Sequence, residues 1–333
     1  MHGDHDFWKR SASMKQMKMS PNQIVPAIKP FSRSAKVKGS LMILASALCF
    51  GSYGLWSRLL GREFGVFYQG WVRSGIILAM LLPIAIVGKH FQSIKRQDLR
   101  WFSITMVFTV FTQTPLYFAF NHLPLGTATF IFYGLFLLTS YLVGWLFLSE
   151  KISILKMVSA FLAFAGLLLT FGVSVNGFSI GAMLLSALSG IASGGEVATS
   201  KKITDKYSSL QVTTYSWILI LITHLPLSIL MGENQLIPEF SLEWFSMLGY
   251  AASGLLGFWL VIEGFRHVDA SIGGLLGLFE ILFSTLFGVL IFNDHLTISV
   301  IIGGMIIVIA ALLPDVYAMK HSRVKPIPLP PSL

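Results

Sequence analysis

The chain has 333 residues, of which 54% are hydrophobic and 12% are charged. Charged residues make up about a quarter of an ordinary soluble domain, so this composition excludes a soluble globular fold and indicates a chain that lies mostly in a lipid bilayer. The net charge of +9 raises nucleic-acid binding as an alternative. The basic residues, however, lie in short loops and near the ends rather than along one helix face, which argues against a nucleic-acid partner. Cys49 is the only cysteine, so an intrachain disulfide is excluded.

Apolar segments of about 20 residues, each long enough to cross a hydrocarbon core, recur along the chain. The first follows a basic leader, residues 1–37, and starts too late and runs too long for a cleaved signal peptide. A cytoplasmic tail, residues 316–333, follows the last. Breaks at charged, Gly, Pro and Asn clusters predict ten transmembrane helices, over residues 39–60, 66–87, 101–120, 125–148, 153–173, 179–199, 210–231, 244–264, 270–292 and 297–314.

The distribution of basic residues tests this count, because cytoplasmic loops retain Lys and Arg. With the N-terminus inside, 21 of the 24 Lys and Arg residues fall in inside segments, and Arg62 is the only one in an outside loop. Arg58 and Arg73 lie within predicted helices. A miscounted helix would invert every later loop. The alternation therefore predicts ten helices with both termini in the cytoplasm.

The chain repeats itself at a spacing of about 144 residues. Residues 121–124 (NHLP) precede the fourth predicted helix as residues 266–269 (RHVD) precede the ninth, and residues 147–153 align with residues 291–297. Each unit, residues 38–175 and residues 176–315, contains five helices, so the second must enter the membrane in the opposite sense. Inverted repeats are typical of secondary transporters. The predicted fold is an all-α integral membrane protein of ten transmembrane helices in two inverted five-helix repeats.

Five short motifs, in this order and spacing, resemble the EamA-type transporters of the drug/metabolite transporter superfamily. They are residues 50–56 (FGSYGLW), Arg73, residues 118–124 (FAFNHLP), residues 148–151 (LSEK) and residues 278–280 (LFE). The resemblance implies a bacterial inner-membrane exporter whose central cavity is lined mainly by spans one, three, four, six, eight and nine. The family often has proline after the ninth-span acid, whereas Ile281 follows Glu280 here, and Asp294 replaces a usual glutamate.

Glu280 is the deepest carboxylate, ten residues into the ninth predicted helix, or about 15 Å at 1.5 Å per residue. A charged group at this depth is costly and usually faces the bundle interior. Glu280 is therefore the candidate for proton coupling or for holding a substrate ammonium. The alternative is a protonated structural glutamate that bonds a neighbouring helix.

Three further charged residues lie within predicted helices. Glu196 and Glu263 are near cytoplasmic helix ends and are expected to form structural ion pairs, Glu263 with Arg266 or His267 at helical spacing. Arg73 is seven residues into the second helix, where it could attract an anionic group. The family resemblance favours a structural bond from Arg73 to carbonyl groups.

Aromatic and amide side chains on the helices that the family uses for its cavity complete the candidate substrate site. Aromatic walls bind apolar or cationic parts of a substrate, although packing against lipid and interhelical hydrogen bonding are open alternatives. The substrate-binding candidates are Tyr53, Trp56, Gln113, Tyr117, Tyr133, Trp259 and Glu280.

Two glycine pairs have the small-xxx-small spacing that lets helices approach closely, Gly190 with Gly194 and Gly273 with Gly277. The residues at this spacing predict close helix packing. No nucleotide-binding loop, zinc motif or nucleophile elbow is present, so no cofactor or metal is expected.

The sequence therefore predicts a secondary transporter that exports a small organic metabolite, such as an amino acid, amine or drug-like compound, by alternating access. Its partners are that substrate and the lipid bilayer, with a proton or exchange substrate as driver and a homodimer left open. A nucleotide-sugar or phosphorylated-metabolite exchanger is the alternative, but the helices supply few basic groups for it. A membrane-embedded enzyme or a non-transporting scaffold is the alternative of another class, and the histidines lie at scattered depths rather than in one cluster.

Overall fold

The computed structural model describes residues 33–61, 63–123, 125–172, 179–293 and 295–322. In these ranges the chain forms α-helices and one short 3₁₀ turn, Arg96–Asp98, and no strand is assigned to the residues described. The helices are α1 Arg33–Gly51, α2 Tyr53–Leu60, α3 Val66–Val87, α4 Leu99–His122, α5 Leu125–Leu148, α6 Ile154–Phe171, α7 Ile180–Thr204, α8 Ser209–Leu230, α9 Leu242–Phe265, α10 Ala270–Gly277, α11 Phe279–Phe292 and α12 Ile298–Ser322.

Eight segments of the described chain are long and apolar enough to cross a membrane, judged by length and composition. One of them, Ser34–Leu60, contains both α1 and α2, and another, Ala270–Phe292, contains both α10 and α11. A shorter apolar segment, Ile298–Pro314, forms the first part of α12. The remaining helix, α4, has 24 residues and is not among the eight. The chain is an α-helical multi-pass membrane protein, and the count of ten spans stays a prediction.

The helices of the two predicted repeats pair with each other. Helix α4 packs on α7 as α9 packs on α1, and α5 packs on α7 as α10 and α11 pack on α1. Helix α3 packs on α8, and α6 packs on α12. If each span of the first repeat is exchanged for the corresponding span of the second, each of these pairings either becomes another pairing of the set or stays the same. The two halves are interlocked rather than placed side by side.

The close approach predicted at one glycine pair is present. A methyl group added at Gly190 or Gly194 would collide with the carbonyl oxygens of Phe132 and Phe136, respectively, on α5. At the other pair, an added methyl group would meet the rings of Phe265 and Phe136 instead of a backbone. Only the first pair therefore brings two helix backbones together.

One end of the bundle carries the loops 88–98, 149–153, 205–208 and 266–269, and we call it the basic end because Lys and Arg residues are concentrated there. Ion pairs join its loops to neighbouring helices. The Lys156 ammonium lies 2.8 Å from Asp269, and that of Lys206 lies 2.5 Å from Asp98. Loops and helices of both predicted repeats are thereby tied together.

The charges of these pairs stabilise each other. The hydrogen bond from Lys206 lowers the pKa of Asp98, and the same bond raises the pKa of Lys206. Burial raises the pKa of Asp269, but the hydrogen bond and the charge of Lys156 outweigh it, and the net shift is downward.

Glu150 joins three elements at the basic end. Its carboxylate lies 3.1 Å from the Lys201 ammonium on α7, and it accepts a hydrogen bond of 2.6 Å from the backbone N–H of Ala270. A carboxylate at a helix N-terminus satisfies free N–H groups and the helix dipole. Glu150, which follows α5, therefore caps α10 in the other predicted repeat.

The structure changes several predicted helix boundaries. The first predicted helix has a one-residue irregularity at Ser52, and the ninth has one at Leu278, although both residues keep α-helical backbone angles and no proline is present there. The last helix continues to Ser322, into the segment predicted as a tail, and the first starts at Arg33, within the predicted leader. Residues 1–32 and 323–333 lie outside the described ranges.

Candidate functional site

The first and ninth spans meet beside these two irregular positions. A methyl group added at Gly51, the last residue of α1, would lie 2.9 Å from the backbone oxygen of Glu280 in the first turn of α11. Only glycine permits this approach without a shift of the backbone. We call this close contact of the two spans the helix junction.

The side chain of Glu280 faces α5. Its carboxyl group lies beside the Tyr133 hydroxyl, and the glutamate is half-buried whereas the tyrosine is 8% exposed. The position of Glu280 in the first turn of α11 suits a negative charge, since the N-terminal end of a helix is electropositive. Two residues that the sequence predicted for the site are thus brought together at the helix junction.

The irregular position of the first span carries a second polar contact. The indole N–H of Trp56 donates to the hydroxyl oxygens of Ser52, at 3.0 Å, and of Ser253 on α9, at 2.9 Å. The Ser52 hydroxyl also donates to the Cys49 carbonyl at 2.6 Å. The hydroxyl groups of Ser52 and Ser253 therefore fix the orientation of Trp56 against α9.

Arg73 on α3 is fully buried and is enclosed by aromatic rings. Its guanidinium carbon lies 4.2 Å from the ring centroid of Tyr250, 4.9 Å from that of Tyr53 and 5.3 Å from that of Trp217. A guanidinium over aromatic faces is stabilised by cation–π attraction. The Nη2 atom donates to Gln113 Oε1 at 2.6 Å. A side-chain amide and three rings thus contact Arg73, and the expected bond to carbonyl groups stays a prediction.

Glu196 on α7 is 2% exposed, and its carboxylate accepts hydrogen bonds from hydroxyl groups of α4. Thr112 donates at 2.9 Å, and Thr109 donates to the other carboxylate oxygen. The ion pair expected for Glu196 is not found among the described residues. The expectation failed because the nearby lysines of α7 have other contacts, Lys201 with Glu150 and Lys202 with the ring of Trp101.

Glu263, in contrast, has the expected partners. Its carboxylate lies 3.0 Å from the Arg266 guanidinium and 3.5 Å from the His267 imidazole, and it accepts a 2.5 Å hydrogen bond from Ser209. These contacts lie at the basic end, where α8 begins and α9 ends. Glu263 therefore belongs to the ion-pair network of that end rather than to the helix junction.

The predicted site residues fall into separate groups. Tyr53 and Gln113 contact Arg73, Tyr133 contacts Glu280, and Trp56 contacts the two serines. Trp259 is half-buried on α9. The side chain of Tyr117 lies outside what the structure describes.

Sequence reasoning missed several members of these groups. The hydroxyl residues were not predicted because a single Ser or Thr is common in apolar helices and does not by itself indicate a site. A signal was nevertheless present on α4, where Thr105, Thr109 and Thr112 recur at the spacing of one helix face. The missed residues are Ser52, Thr109, Thr112, Trp217, Tyr250 and Ser253.

A bundle of membrane-crossing helices with buried charged side chains has the features of a polytopic transporter. Comparison with known proteins agrees: the chain belongs to the EamA-like transporter family, whose model matches residues 37–172 and 180–313. Membership in this family makes the chain a transporter rather than an enzyme.

Two curated relatives carry transporter names. The chain is 26% identical over 286 residues to an S-adenosylmethionine uptake transporter of Rickettsia bellii, covering 85% of this chain and 95% of that protein. It is 33% identical over 129 residues to an uncharacterized transporter of Haemophilus influenzae, covering 38% of this chain and 74% of that protein. A crystal structure with 17% sequence identity superposes with a TM-score of 0.69, covering 87% of this chain and 99% of its own, and supports the fold alone.

Proposed function

We propose that this chain is a secondary carrier that moves a small organic solute bearing a positive charge, such as an amino acid, amine or drug-like cation, by alternating access. The observation that carries the proposal is the close contact of the first and ninth spans at Gly51 and Glu280, with the Glu280 carboxyl group beside Tyr133. A carboxylate and an aromatic ring attract a substrate cation. Transporters built from inverted repeats commonly bind their substrates near the membrane midplane, between the repeats.

The proposed topology has ten spans in two inverted repeats, with α4 as the third span and α12 as the tenth. Basic loops are retained in the cytoplasm, so the basic end and both termini face inward across a bacterial cytoplasmic membrane. The exchange symmetry of the helix pairings supports this arrangement. Rocking of the interlocked halves would expose the junction to each side in turn.

The name of the Rickettsia relative narrows the substrate. S-adenosylmethionine carries a sulfonium cation and an amino-acid group, and both fit a site made of a carboxylate and aromatic side chains. The relative is named for uptake, whereas the family resemblance in the sequence implied export. A carrier works in both directions, so we propose that the solute gradient and the driving ion set the direction of transport.

Arg73 gives some support to the alternative of a phosphorylated or nucleotide-linked substrate, because it is a fully buried cation. Its guanidinium is, however, held by Gln113 and enclosed by three rings. Binding of a phosphate group would have to displace these contacts. We therefore assign Arg73 to the framework and Glu280 to the substrate.

The test is transport into proteoliposomes that contain the purified full-length protein. Counterflow of labelled S-adenosylmethionine, an amino acid, an amine and a sugar phosphate would be compared between the wild type and Glu280→Gln, with the exposed Glu239→Gln as control. Saturable counterflow of a cationic solute, lost in Glu280→Gln and retained in Glu239→Gln, is the expected result. Counterflow of the sugar phosphate alone would refute the proposed substrate class.

A further inference from the structure

Glu196 is the centre of a buried group of oxygen atoms separate from the helix junction. The carboxylate accepts from the hydroxyls of Thr109 and Thr112 on α4, and the Ser216 hydroxyl of α8 is its third hydroxyl neighbour. The hydroxyl oxygens of Thr109 and Ser216 are 3.3 Å apart. Two helices, α4 and α8, thus place hydroxyl groups around one carboxyl group of α7 that is 2% exposed.

A charged carboxylate in this position needs compensation. Burial of an unpaired charge is strongly unfavourable, and such a group becomes neutral by taking up a proton. Among the described residues, no Lys, Arg or His group lies within ion-pair distance of the Glu196 carboxylate. Hydroxyl groups can both donate and accept, so the same three neighbours can bond the ionised form and the protonated form.

The other titratable and charged side chains on the helices packed against α7, and on α7 itself, contact other groups. Arg73 on α3 reaches α4 at Gln113, the residue after Thr112. Glu243 lies in the first turn of α9. The remaining groups contact partners as follows: Tyr133 with Glu280, Tyr141 with the Lys156 carbonyl, Lys201 with Glu150, Lys202 and Arg100 with the Trp101 ring, His122 with the Phe118 carbonyl, Tyr215 with the rings of Phe91 and Phe102, His224 with the Ile220 carbonyl, Tyr250 with Arg73, and Glu263 with Arg266 and His267.

Further buried hydroxyls lie on α4, α7 and α8 on the side of Glu196 towards the basic end, and we call them the hydroxyl row. Thr105, one turn before Thr109, donates to Thr199 at 3.0 Å, and Thr199 lies one turn after Glu196 on α7. Thr204 and Thr213 are buried further along, and their hydroxyls have no hydrogen-bond partner among the described residues. The row includes Thr105, Thr199, Thr204, Ser209 and Thr213, and Ser209 donates to Glu263 at the basic end.

We propose that Glu196, with the three hydroxyl groups around it, is the proton-binding site of the carrier. This proposal rests on the proposed function and assigns substrate binding and proton binding to two different carboxyl groups. Glu280 at the helix junction binds the substrate cation. Glu196 takes up one proton, which converts its carboxylate to a carboxylic acid, and later releases it. Because both groups lie between the two predicted repeats, movement of one repeat against the other would change access to both.

Transport measurements separate the two roles. For one proton per substrate, a gradient of one pH unit accumulates substrate about ten-fold, which corresponds to about 1.36 kcal/mol. With S-adenosylmethionine as the probe, the wild type is expected to show this accumulation as well as counterflow, which needs no net proton movement. Glu196→Gln should retain counterflow within about two-fold of the wild type and lose the ten-fold accumulation. Retained accumulation in Glu196→Gln would overturn the proposal.

A second variant covers the case in which Glu196→Gln loses counterflow as well. Thr109→Val keeps the carboxyl group and the side-chain shape but removes one hydroxyl partner, so it should shift the pH at which accumulation is half-maximal. The control is Thr214→Val, because Thr214 is equally buried on α8 and donates only to the Leu210 carbonyl. An identical pH dependence in the two valine variants would overturn the proposal.

Infrared spectroscopy tests the proton site without transport. The carbonyl stretch of a protonated carboxyl group, titrated with pH in the purified protein, should contain a component that disappears in Glu196→Gln and persists in Glu280→Gln. If wild-type protein transports none of the probes, the proposed function fails, and this titration still decides on Glu196. A spectrum unchanged by Glu196→Gln would overturn the proton site alone.

Discussion

Arg73 on the second span and Gln113 on the third are joined by a 2.6 Å hydrogen bond between guanidinium Nη2 and amide Oε1. The bond fixes the guanidinium plane among the rings of Tyr53, Trp217 and Tyr250, which come from the first, seventh and eighth spans in the proposed numbering. One side chain thereby holds five spans together. Its planarity as well as its charge is required, since all three rings lie within stacking distance of it.

Arg73→Lys should therefore not be a conservative change. Lysine keeps the charge but loses the flat guanidinium that stacks on the rings, and it leaves the Gln113 amide oxygen without its charged donor. We expect a loss of about 2 kcal/mol in the free energy of unfolding. Denaturation in mixed micelles measures this loss, and Arg58→Lys, at an exposed position, is the control. Equal stability of the two variants would contradict the framework role of Arg73.

Glu150 and Lys201 should be energetically coupled across the two predicted repeats. Glu150→Ala removes both the ion pair with Lys201 and the cap of α10, and Lys201→Met removes the ion pair and the hydrogen bond from Lys201 to the Val268 carbonyl. We expect the double variant to be less destabilised than the sum of the single variants, by about 1 to 2 kcal/mol. As a control, the losses in the free energy of unfolding in a double-mutant cycle of Glu150→Ala with the exposed Lys89→Met should be additive. An additive result for Glu150 with Lys201 would show that the pair is only a surface contact.

The Asp98 and Lys206 pair should stabilise the protein over a defined pH range. The pKa of Asp98 is lowered from 3.8, so its contribution is present above that value and is lost as pH falls through the lowered pKa. The pKa of Lys206 is raised from 10.5, so its contribution is present below that value and is lost as pH rises through the raised pKa.

Melting temperatures of the wild type and Lys206→Met should therefore differ near neutral pH and converge at both extremes. Because the Lys206 side chain is 53% exposed, added salt should reduce the difference. Lys151→Met, at an exposed position of the same end, is the control and should follow the wild type at every pH. A difference that persists at low pH would contradict the ion-pair explanation.

Gly194→Ala should disrupt the contact between α7 and α5. The added methyl group would overlap the Phe136 carbonyl, which is backbone and cannot move independently, so a loss of about 1 to 3 kcal/mol is expected. Gly75→Ala is the matched control, since a methyl group at Gly75 meets no atom within 4 Å. That change should be neutral or stabilise the helix by about 0.5 to 1 kcal/mol. Equal melting temperatures for the two variants would contradict the close packing.

The sequence predicted the helices well because apolar length and loop charge are local signals. Predicted and observed bounds agree closely for α3, α5 and α9. The irregularities at Ser52 and Leu278 were missed, since neither has the proline that usually marks a break. The approach of Gly51 to Glu280 beside them is a tertiary contact, which single-sequence reasoning cannot place.

For the candidate site, the sequence supplied the residue types and not their partners. Glu280 was selected because of its depth in the membrane, and Tyr133 because it lies on a helix that the family uses for its cavity. No local sequence signal indicates that two residues so far apart in the chain are in contact. It assigned an ion pair to Glu196 from neighbouring lysines, because sequence distance was the only available guide. The hydroxyls that do bond Glu196 come from α4 and α8, and only the packing of these helices brings them within reach.

The interlocked pairing of the repeats imposes an order on biogenesis. Helix α4 is synthesised well before α7, the helix on which it packs. Until α7 enters the bilayer, Thr105, Thr109 and Thr112 lack the Glu196 and Thr199 partners that they contact in the folded protein. The newly made first half is therefore an incomplete membrane domain with exposed polar groups, which makes it a substrate for insertion chaperones and quality-control proteases if synthesis stops before the second half is made.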